Sequence, residues 1–517
     1  MKIKNFILKP WVLIIISAVF SALPFTFANL FLVSWISFVP LFCVIINHSG
    51  DKLRKLIGRG FLFGFVYHAC VYYWFLWFFP FDYINLSDGV SIAIVLLAWF
   101  GISTVHGVLW CVPFMLCHFV QKIKKSPALL CFAAVVGIIT VEKLTSISEL
   151  SFPWTRISLG QYKATALIQS ASLFGIDGVD MLILCVNALI TICIVSPPKM
   201  RTVTAISAAC VFVANLLFGV IRIHTAPAGS EMTIMTVQGS ISREDKWSLQ
   251  GEAICYGAYS SLTKENLSPE VQLVLWPESA VPTMYNNDEA ATIYSRLSDE
   301  IDTPIMVGVL QYKYGQSTND VLFVDHRGER ACYSKRQLVP FGEYMPYQSV
   351  LSTVFPFLDG LNLMIDDYTA GSSSTIMTTD YGKVGNIICF ESIYPHLSRQ
   401  STLDGAEVLF EITNDSWLDD SPAIKQHLAH GVFRSVENGR YMVRSANSGV
   451  SAVIDSRGRV LSRLDVNTQG VITDKIYLYN SKTLYTLVGN ILYPICIGVL
   501  FALCVALIIK NKKSAEN

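Results

Sequence analysis

The sequence predicts a protein in two parts: an α-helical membrane region of about eight spans, and one α/β sandwich domain that precedes the last span. Of its 517 residues, 52% are hydrophobic and only 15% are charged, whereas soluble domains carry about 25% charged residues. Long apolar runs fill the first 221 residues and return at residues 487–509. Between them, short β-rich runs alternate with helical patterns, which is typical of a layered α/β domain.

Eight apolar runs have roughly the length that a helix needs to cross a bilayer. They occupy residues 11–29, 30–46, 61–79, 90–119, 128–141, 179–195, 203–221 and 487–509. The first run also resembles a signal peptide, because Thr26, Phe27 and Ala28 form a possible small-residue cleavage site. A retained helix is the favoured interpretation, since a second apolar run follows at once. Both interpretations leave the topology of the later spans unchanged.

Basic residues mark alternate loops between the spans. They lie between the second and third, the fourth and fifth, and the sixth and seventh spans, and after the eighth, whereas residues 80–89 contain no Lys or Arg. Because loops rich in Lys and Arg stay in the cytoplasm, both termini are expected there. The predicted organisation is a seven-helix membrane region at 1–221, an outer domain at 222–486, and a last helix with a cytoplasmic tail at 487–517.

The charge and cysteine patterns exclude several function classes. The formal net charge is zero, so the composition predicts no attraction to nucleic acid. The 13 cysteines include neither a CxxC pair nor a Cys/His group with zinc spacing, and most lie in apolar runs. The sequence accordingly predicts no metal, no cofactor and no disulfide framework.

The outer domain is predicted to combine a mixed sheet with helices and three hairpins. Helical spacing covers residues 252–264, 288–301 and 423–438. The predicted strands are residues 232–239, 271–278, 304–310, 321–325, 331–333, 375–379, 383–389, 408–413, 441–446, 450–455 and 459–463. Turn residues at 325–328, 380–382 and 456–458 predict the hairpins.

Three reactive side chains lie at or just after the ends of predicted strands of this domain. They are Glu278, Lys335 and Cys389. Alone, a glutamate or lysine is more often a surface residue, and a free cysteine more often a small buried hydrophobe. Together they supply a base, a cation and a thiol, which are the parts that thiol-based acyl chemistry requires. Ligands of open α/β sheets bind at such strand ends, so the combination predicts an active site.

The sequences around these residues resemble the nitrilase, or carbon–nitrogen hydrolase, superfamily, whose Glu-Lys-Cys triad acts on amides, nitriles and acyl groups. The matching segments are residues 276–279 around the glutamate, the long and specific 334–346 around the lysine, and 385–391 around the cysteine. Further matches follow at 413–417, 426–428, 434–440 and 447–449. With eight spans around one outer domain, the chain resembles the membrane-bound branch that acylates bacterial lipoproteins.

The resemblance implies an αββα sandwich on a helical base in the bacterial inner membrane, with the sandwich in the periplasm. It implies that Cys389 takes an acyl chain from a phospholipid and passes it to the amine of a diacylglyceryl-cysteine on an apolipoprotein. Glu278 would be the general base, and Lys335 would stabilise the thiolate and the oxyanion. The resemblance also implies supporting roles for Glu343, Glu391 and Phe390, and substrate contacts for Trp247, Asn414 and Trp417.

Three departures and two alternatives accompany this expectation. Phe390 stands where the family often has tyrosine, and Leu418 and residues 423–425 also differ from the usual pattern. The first alternative is a membrane-anchored nitrilase-type amidase or acyl hydrolase, which would share the triad. The second is a transporter or receptor whose outer domain only binds ligand. The scarcity of charged residues in the spans disfavours it.

Overall fold

A computed structural model describes residues 9–80, 87–225, 229–286, 288–354 and 367–516. The chain forms two compact units. One comprises residues 1–147, 152–224 and 490–517, and the other comprises residues 148–151 and 225–489. The first is helical and apolar, and every strand among the described residues belongs to the second.

The apolar unit is built from helices whose composition suits a membrane. They are α1 (Pro10–Thr26), α2 (Val39–His48), α3 (Leu53–Val71), α4 (Asp88–Leu109), α5 (Cys111–Ile123), α6 (Pro127–Leu144), α7 (Ala171–Phe174), α8 (Ile176–Val195), α9 (Pro198–His224) and the C-terminal helix Leu492–Glu516. Short 3-10 segments lie at Ala28–Trp35, Tyr72–Phe78, Ile157–Gln161 and Thr165–Leu167. Among the described residues, seven helical segments are long and apolar enough to cross a membrane, and α1 is a shorter apolar helix. The protein is a multi-pass membrane protein.

The predicted run 90–119 differs from expectation, because two helices meet at Trp110. Pro113 explains the break: it has no N–H for the carbonyl of Leu109, and its ring crowds that carbonyl. Helix α3 passes close to the junction, since a Cβ on Gly60 would lie 2.6 Å from the Trp110 carbonyl oxygen. Small residues permit such close approach between membrane helices.

The segment between α6 and α8 is bound into the apolar unit by a buried ion network. The Arg156 guanidinium lies 2.9 Å from Asp177 Oδ1 and 3.3 Å from Glu142 Oε2. Asp177 also accepts a 2.7 Å hydrogen bond from the Tyr493 hydroxyl, and the Ser158 amide donates to Asp180 at 2.6 Å. Paired charges of this kind meet the requirement for burying ionised groups away from water.

The second unit is a sandwich of two mixed sheets. Its strands are β1 (Ser230–Gln238), β2 (Leu273–Leu275), β3 (Met284–Asn286), β4 (Ile305–Lys313), β5 (Gln316–Asp325), β6 (Gly328–Ser334), β7 (Ile376–Thr378), β8 (Lys383–Ile388), β9 (Val408–Thr413), β10 (Met442–Ala446), β11 (Ser451–Ile454), β12 (Val460–Leu464) and β13 (Gly470–Leu478). The first sheet has the order β13-β1-β2-β4-β5-β6, with β3 on β4, and the second has the order β12-β11-β10-β9-β8-β7.

Helices cover the outer faces of the sandwich. The helices of this unit are α10 (Arg243–Lys246), α11 (Gly251–Asn266), α12 (Glu289–Ile301), α13 (Gln348–Val354), α14 (Pro395–Leu403), α15 (Pro422–Asn438) and α16 (Leu484–Val488), and four of them pack on the sheets. Met232 and Met306 of the first sheet share one buried cluster with Val384 and Phe410 of the second. Helices α11 and α12 pack on the first sheet, and α14 and α15 on the second. The predicted αββα sandwich is therefore confirmed.

The strand directions bring several carboxyl ends to one edge of the sandwich. Strand β2 runs parallel to β1 and β4, and β6 has the same direction because two antiparallel pairings separate it from β4. In the second sheet, β8, β9 and β10 are parallel. Such edges are where α/β folds assemble their sites.

Candidate active site

Cys389 directly follows β8 and opens a 3-10 segment, Cys389–Ile393. Its φ is +51°, a left-handed conformation that is strained for a residue with a Cβ. Burial raises the pKa of the Cys389 thiol well above its ordinary value; the Glu278 charge acts in the same direction, while Lys335 opposes it. The resting residue is a protonated thiol, so it needs a base before it can act as a nucleophile.

Glu278 lies three residues beyond β2 and is held by three donors. Its Oε1 accepts from Asn319 Nδ2 at 2.7 Å and from Lys335 Nζ at 3.2 Å, and its Oε2 accepts from the Asn414 amide at 2.8 Å. Burial alone raises the pKa of Glu278, but the charge of Lys335 and these hydrogen bonds outweigh it and lower the pKa overall. The side chain is therefore an ionised carboxylate that can accept a proton.

Lys335 follows β6 and links two carboxylates. Its Nζ lies 2.7 Å from Glu343 Oε1, in addition to its contact with Glu278. Burial lowers the pKa of Lys335, but Glu278, Glu343 and Cys389 together raise it well above its usual range. The ammonium thus stays charged and is placed to stabilise negative charge that develops near the thiol.

Glu343 and Glu391 fix the segments that carry the lysine and the cysteine. Glu343 Oε2 accepts from the Val339 amide at 2.8 Å, which closes the loop after β6. Glu391 Oε1 accepts from the amides of Arg336 (2.6 Å) and Gln337 (3.2 Å). Its Oε2 accepts from the Tyr333 hydroxyl and the Ile388 amide, both at 2.7 Å. Glu391 therefore connects the end of β8 to the residues that follow Lys335.

A second polar group lies behind the cysteine, and sequence reasoning did not predict it as part of the site. His427 Nε2 lies 3.1 Å from the Cys389 carbonyl oxygen, and its Nδ1 lies 3.0 Å from Asp415 Oδ1. Asp415 Oδ2 is 2.7 Å from the buried Arg444 guanidinium, which also pairs with Glu411. Burial raises the pKa of Asp415, but Arg444 and His427 outweigh it and hold the pKa well below its usual range.

Asn319 is another residue that sequence reasoning missed. It lies inside β5, and its Nδ2 contacts both Glu278 and Glu343. Nothing in the local sequence distinguishes it from a strand asparagine, because both partners lie far away along the chain. His427 carried more signal, since it stands in one of the segments that resemble the superfamily.

The predicted substrate residues fall into two groups. Asn414 joins the site through its backbone, while its side-chain oxygen accepts from Asn447 Nδ2 at 3.2 Å. Trp247 and Trp417 form an exposed pair with ring centroids 6.5 Å apart. Phe390 is buried and packs edge-on against Tyr394 at 5.5 Å. The tryptophans thus offer an apolar surface, whereas Phe390 supports the strand end.

Within the described ranges, no group of three or more His, Cys, Asp or Glu side chains is arranged to hold a metal ion. The chemistry available at the site is that of a thiol, a carboxylate and an ammonium. That set can form and break acyl–sulfur bonds.

Comparisons with known proteins agree with both units. A carbon–nitrogen hydrolase model matches residues 233–482, and a model of the apolipoprotein N-acyltransferase N-terminal domain matches residues 17–189. The fold and these matches define a membrane-embedded member of the carbon–nitrogen hydrolase class.

Among curated relatives, the apolipoprotein N-acyltransferase of Geobacter metallireducens is 26% identical over 501 residues, covering 95% of this chain and 93% of its own. That of Rhizobium meliloti is 31% identical over 360 residues, covering 66% of each chain. A solved nitrilase-superfamily structure from Saccharomyces cerevisiae covers 49% of this chain and 93% of its own, with 17% identity and a TM-score of 0.38. The chain belongs to the apolipoprotein N-acyltransferase family.

Proposed function

We propose that the protein transfers an acyl chain from a phospholipid, through a thioester on Cys389, to the N-terminal amine of a diacylglyceryl-cysteine on an apolipoprotein. The observation that carries the proposal is the buried contact of Glu278 with Lys335, whose charges both act on the Cys389 thiol. A multi-pass membrane protein has direct access to lipid substrates, which a soluble amidase would not need.

The first half-reaction breaks the phospholipid ester. Glu278 accepts the Cys389 proton while the sulfur attacks the ester carbonyl, and the charge that develops on the carbonyl oxygen is stabilised by Lys335. The carbon–oxygen bond then breaks, and the proton on Glu278 passes to the leaving alkoxide. The products are a lysophospholipid and a thioester. Because the Cys389 pKa is high and the Glu278 pKa is low, free thiolate does not accumulate before substrate arrives.

The second half-reaction consumes the thioester. The uncharged amine of the lipidated cysteine attacks the acyl carbonyl, Glu278 takes the amine proton, and the carbon–sulfur bond breaks. The departing thiolate recovers the proton from Glu278. The product is an N-acylated lipoprotein, and the site returns to its resting protonation. No redox cofactor enters this balance.

Several finer assignments belong to the same proposal. Trp247 and Trp417 provide an exposed apolar surface for acyl chains, and the Asn414 amide keeps Glu278 aimed. The positive-inside pattern supports cytoplasmic termini and a catalytic domain at 222–486 on the opposite side of the membrane. Similarity to bacterial relatives supports residence in the bacterial inner membrane, with this domain in the periplasm.

The test is acylation of the purified full-length protein by phospholipid alone. We expect mass spectrometry to find one added acyl group on the Cys389 peptide, and its transfer to a synthetic diacylglyceryl-peptide added next. Cys389→Ser should lose both steps. Cys332→Ser is the matched control, because Cys332 has no part in the proposed reaction. It lies in β6, and its sulfur is 3.8 Å from the Gln311 side-chain oxygen. Release of free fatty acid without any N-acylated peptide would favour the hydrolase alternative instead.

A further inference from the structure

A second lysine of the sandwich, Lys246, is fully buried although the proposed mechanism does not use it. It is the last residue of α10, and its Nζ donates to Ser279 Oγ at 3.2 Å. Lysine is rarely fully buried unless it is paired. Here the direct partner in the described part of the chain is a hydroxyl, and a carboxylate lies one residue away in sequence, at Glu278.

The turn that Lys246 binds is tightly constrained. Ser279 has φ +41°, so the backbone leaves Glu278 in a left-handed bend. Strand β4 lies directly against this bend, since a Cβ on Gly308 would lie only 2.6 Å from the Glu278 Cα. The Ala280 amide also donates to the Gly308 carbonyl at 2.9 Å. Lys246 therefore supplies a side-chain contact to a turn whose backbone rests on β4.

The charges of the site give Lys246 a second role. Glu278 and Glu343 bring two negative charges, and Lys335 brings one positive charge. The ammonium of Lys246 adds a second positive charge, which interacts with Glu278. Burial lowers the pKa of Lys246 to about 8, while Cys255 of α11 and Glu278 act in the opposite direction. Lys246 is therefore mostly protonated near pH 7.

We propose that Lys246 is a positioning residue of the acyl-transfer site, which holds the Glu278–Ser279 turn and keeps the Glu278 carboxylate ionised. The inference rests on the proposed function, since it assigns Lys246 to the same reaction. An alternative is a purely structural lysine that only anchors Ser279. The two differ in what happens when the charge is removed but the hydrogen bond is kept.

The experiment measures the rate of Cys389 acylation between about pH 3 and pH 9, so that the scan includes the acidic limb of Glu278, with the full-length protein in micelles containing phosphatidylethanolamine and phosphatidylglycerol. Lys246→Gln removes the charge but retains an N–H for Ser279, Lys246→Met removes both, and Lys246→Arg keeps the charge. We expect the acidic limb to move upward by up to about one pH unit in the Gln and Met variants, because the charges of Lys246 and Glu278 interact and a neighbouring cation lowers the pKa of a carboxyl. The Arg variant should keep the limb of the unchanged protein.

The outcomes separate this inference from the proposed function. Unshifted acidic limbs in the Gln and Met variants, with the rate either unchanged or lowered equally at every pH, would overturn the positioning role. If the Met variant does not fold, the Gln variant decides alone. An unchanged protein that never forms the acyl–Cys389 species overturns the proposed function and the inference with it. If the unsubstituted protein forms acyl–Cys389 but the Gln and Met variants show no shift of the acidic limb, only the inference about Lys246 is overturned.

Discussion

Replacing Glu391 should disturb the site without touching the reacting atoms. Its two oxygens accept four hydrogen bonds, from three backbone amides and the Tyr333 hydroxyl. These bonds join the end of β8, which carries Cys389, to the loop that follows Lys335. The Glu391 side chain is fully buried.

The size of the effect depends on how many donors lose their acceptor. Glu391→Ala removes the acceptor of one buried amide, at Ile388, and of two part-buried amides, at Arg336 and Gln337. At about 1–3 kcal/mol for each fully buried unpaired donor, the loss is at least about 1 and at most about 9 kcal/mol. A typical domain has only about 5–15 kcal/mol of unfolding free energy. Glu391→Gln keeps the shape and one acceptor oxygen, so the loss should be about 1–3 kcal/mol. We expect the Gln variant to fold and the Ala variant to be severely destabilised.

Thermal unfolding and Cys389 acylation, measured on the full-length protein in detergent, test this reasoning. The acylation rate of the Gln variant should fall at least about tenfold, because misplaced reacting groups that lose about 1.4 kcal/mol of transition-state stabilisation slow a reaction tenfold. Glu300→Gln is the control, since its exposed pair with Lys264 should contribute about 0–1 kcal/mol. A Glu391→Ala protein with normal melting temperature and normal rate would refute the connecting role.

Three further predictions concern neighbouring groups. Asp415→Asn should destabilise the protein by about 3–5 kcal/mol at pH 7, since it leaves Arg444 with one charged buried partner fewer. Because folding lowers the pKa of Asp415, this stabilisation is fully present above about pH 4 and is lost as the pH falls further. Denaturant titrations should therefore show that the difference in unfolding free energy between the two proteins shrinks below about pH 4. Asn319→Leu should raise the Glu278 pKa and move the acidic limb of acylation upward, whereas an unmoved limb would contradict the assigned hydrogen bond. Gly308→Ala should lower the acylation rate with little change in lipid binding, because the new Cβ would displace Glu278. If the variant and the unsubstituted protein acylate at the same rate, β4 moves to make room and Glu278 stays in place.

The proposed catalytic residues could be located in the sequence because their signals are local. Glu278 and Cys389 each follow a short β-rich run, and the long segment around Lys335 is distinctive by itself. By contrast, the left-handed backbone of Cys389 depends on tertiary contacts, including the one from His427 to its carbonyl. Asn319 was missed for the same reason, since its partners come from two other segments.

Strand boundaries show where local patterns fail. The predicted strand 271–278 is only Leu273–Leu275 in the structure, because Pro277 lacks an N–H for the ladder. Strand β13 was not predicted at all. It is an edge strand whose middle carries Asp474 and Lys475, and such charges interrupt the apolar alternation on which strand prediction depends.

Strand β13 comes last in the domain's sequence, yet it completes the first of the two sheets. The strands that precede Glu278 and Lys335 belong to the first sheet, and the strand that precedes Cys389 belongs to the second. The first sheet nevertheless receives its edge strand from the end of the domain, because the nine-residue β13 pairs with β1 along its length. The chain cannot be divided into two consecutive pieces that each form one sheet. The first sheet is complete only when residues up to Leu478 have been made, and a chain that ends before β13 would leave β1 as an edge strand unpaired on that side.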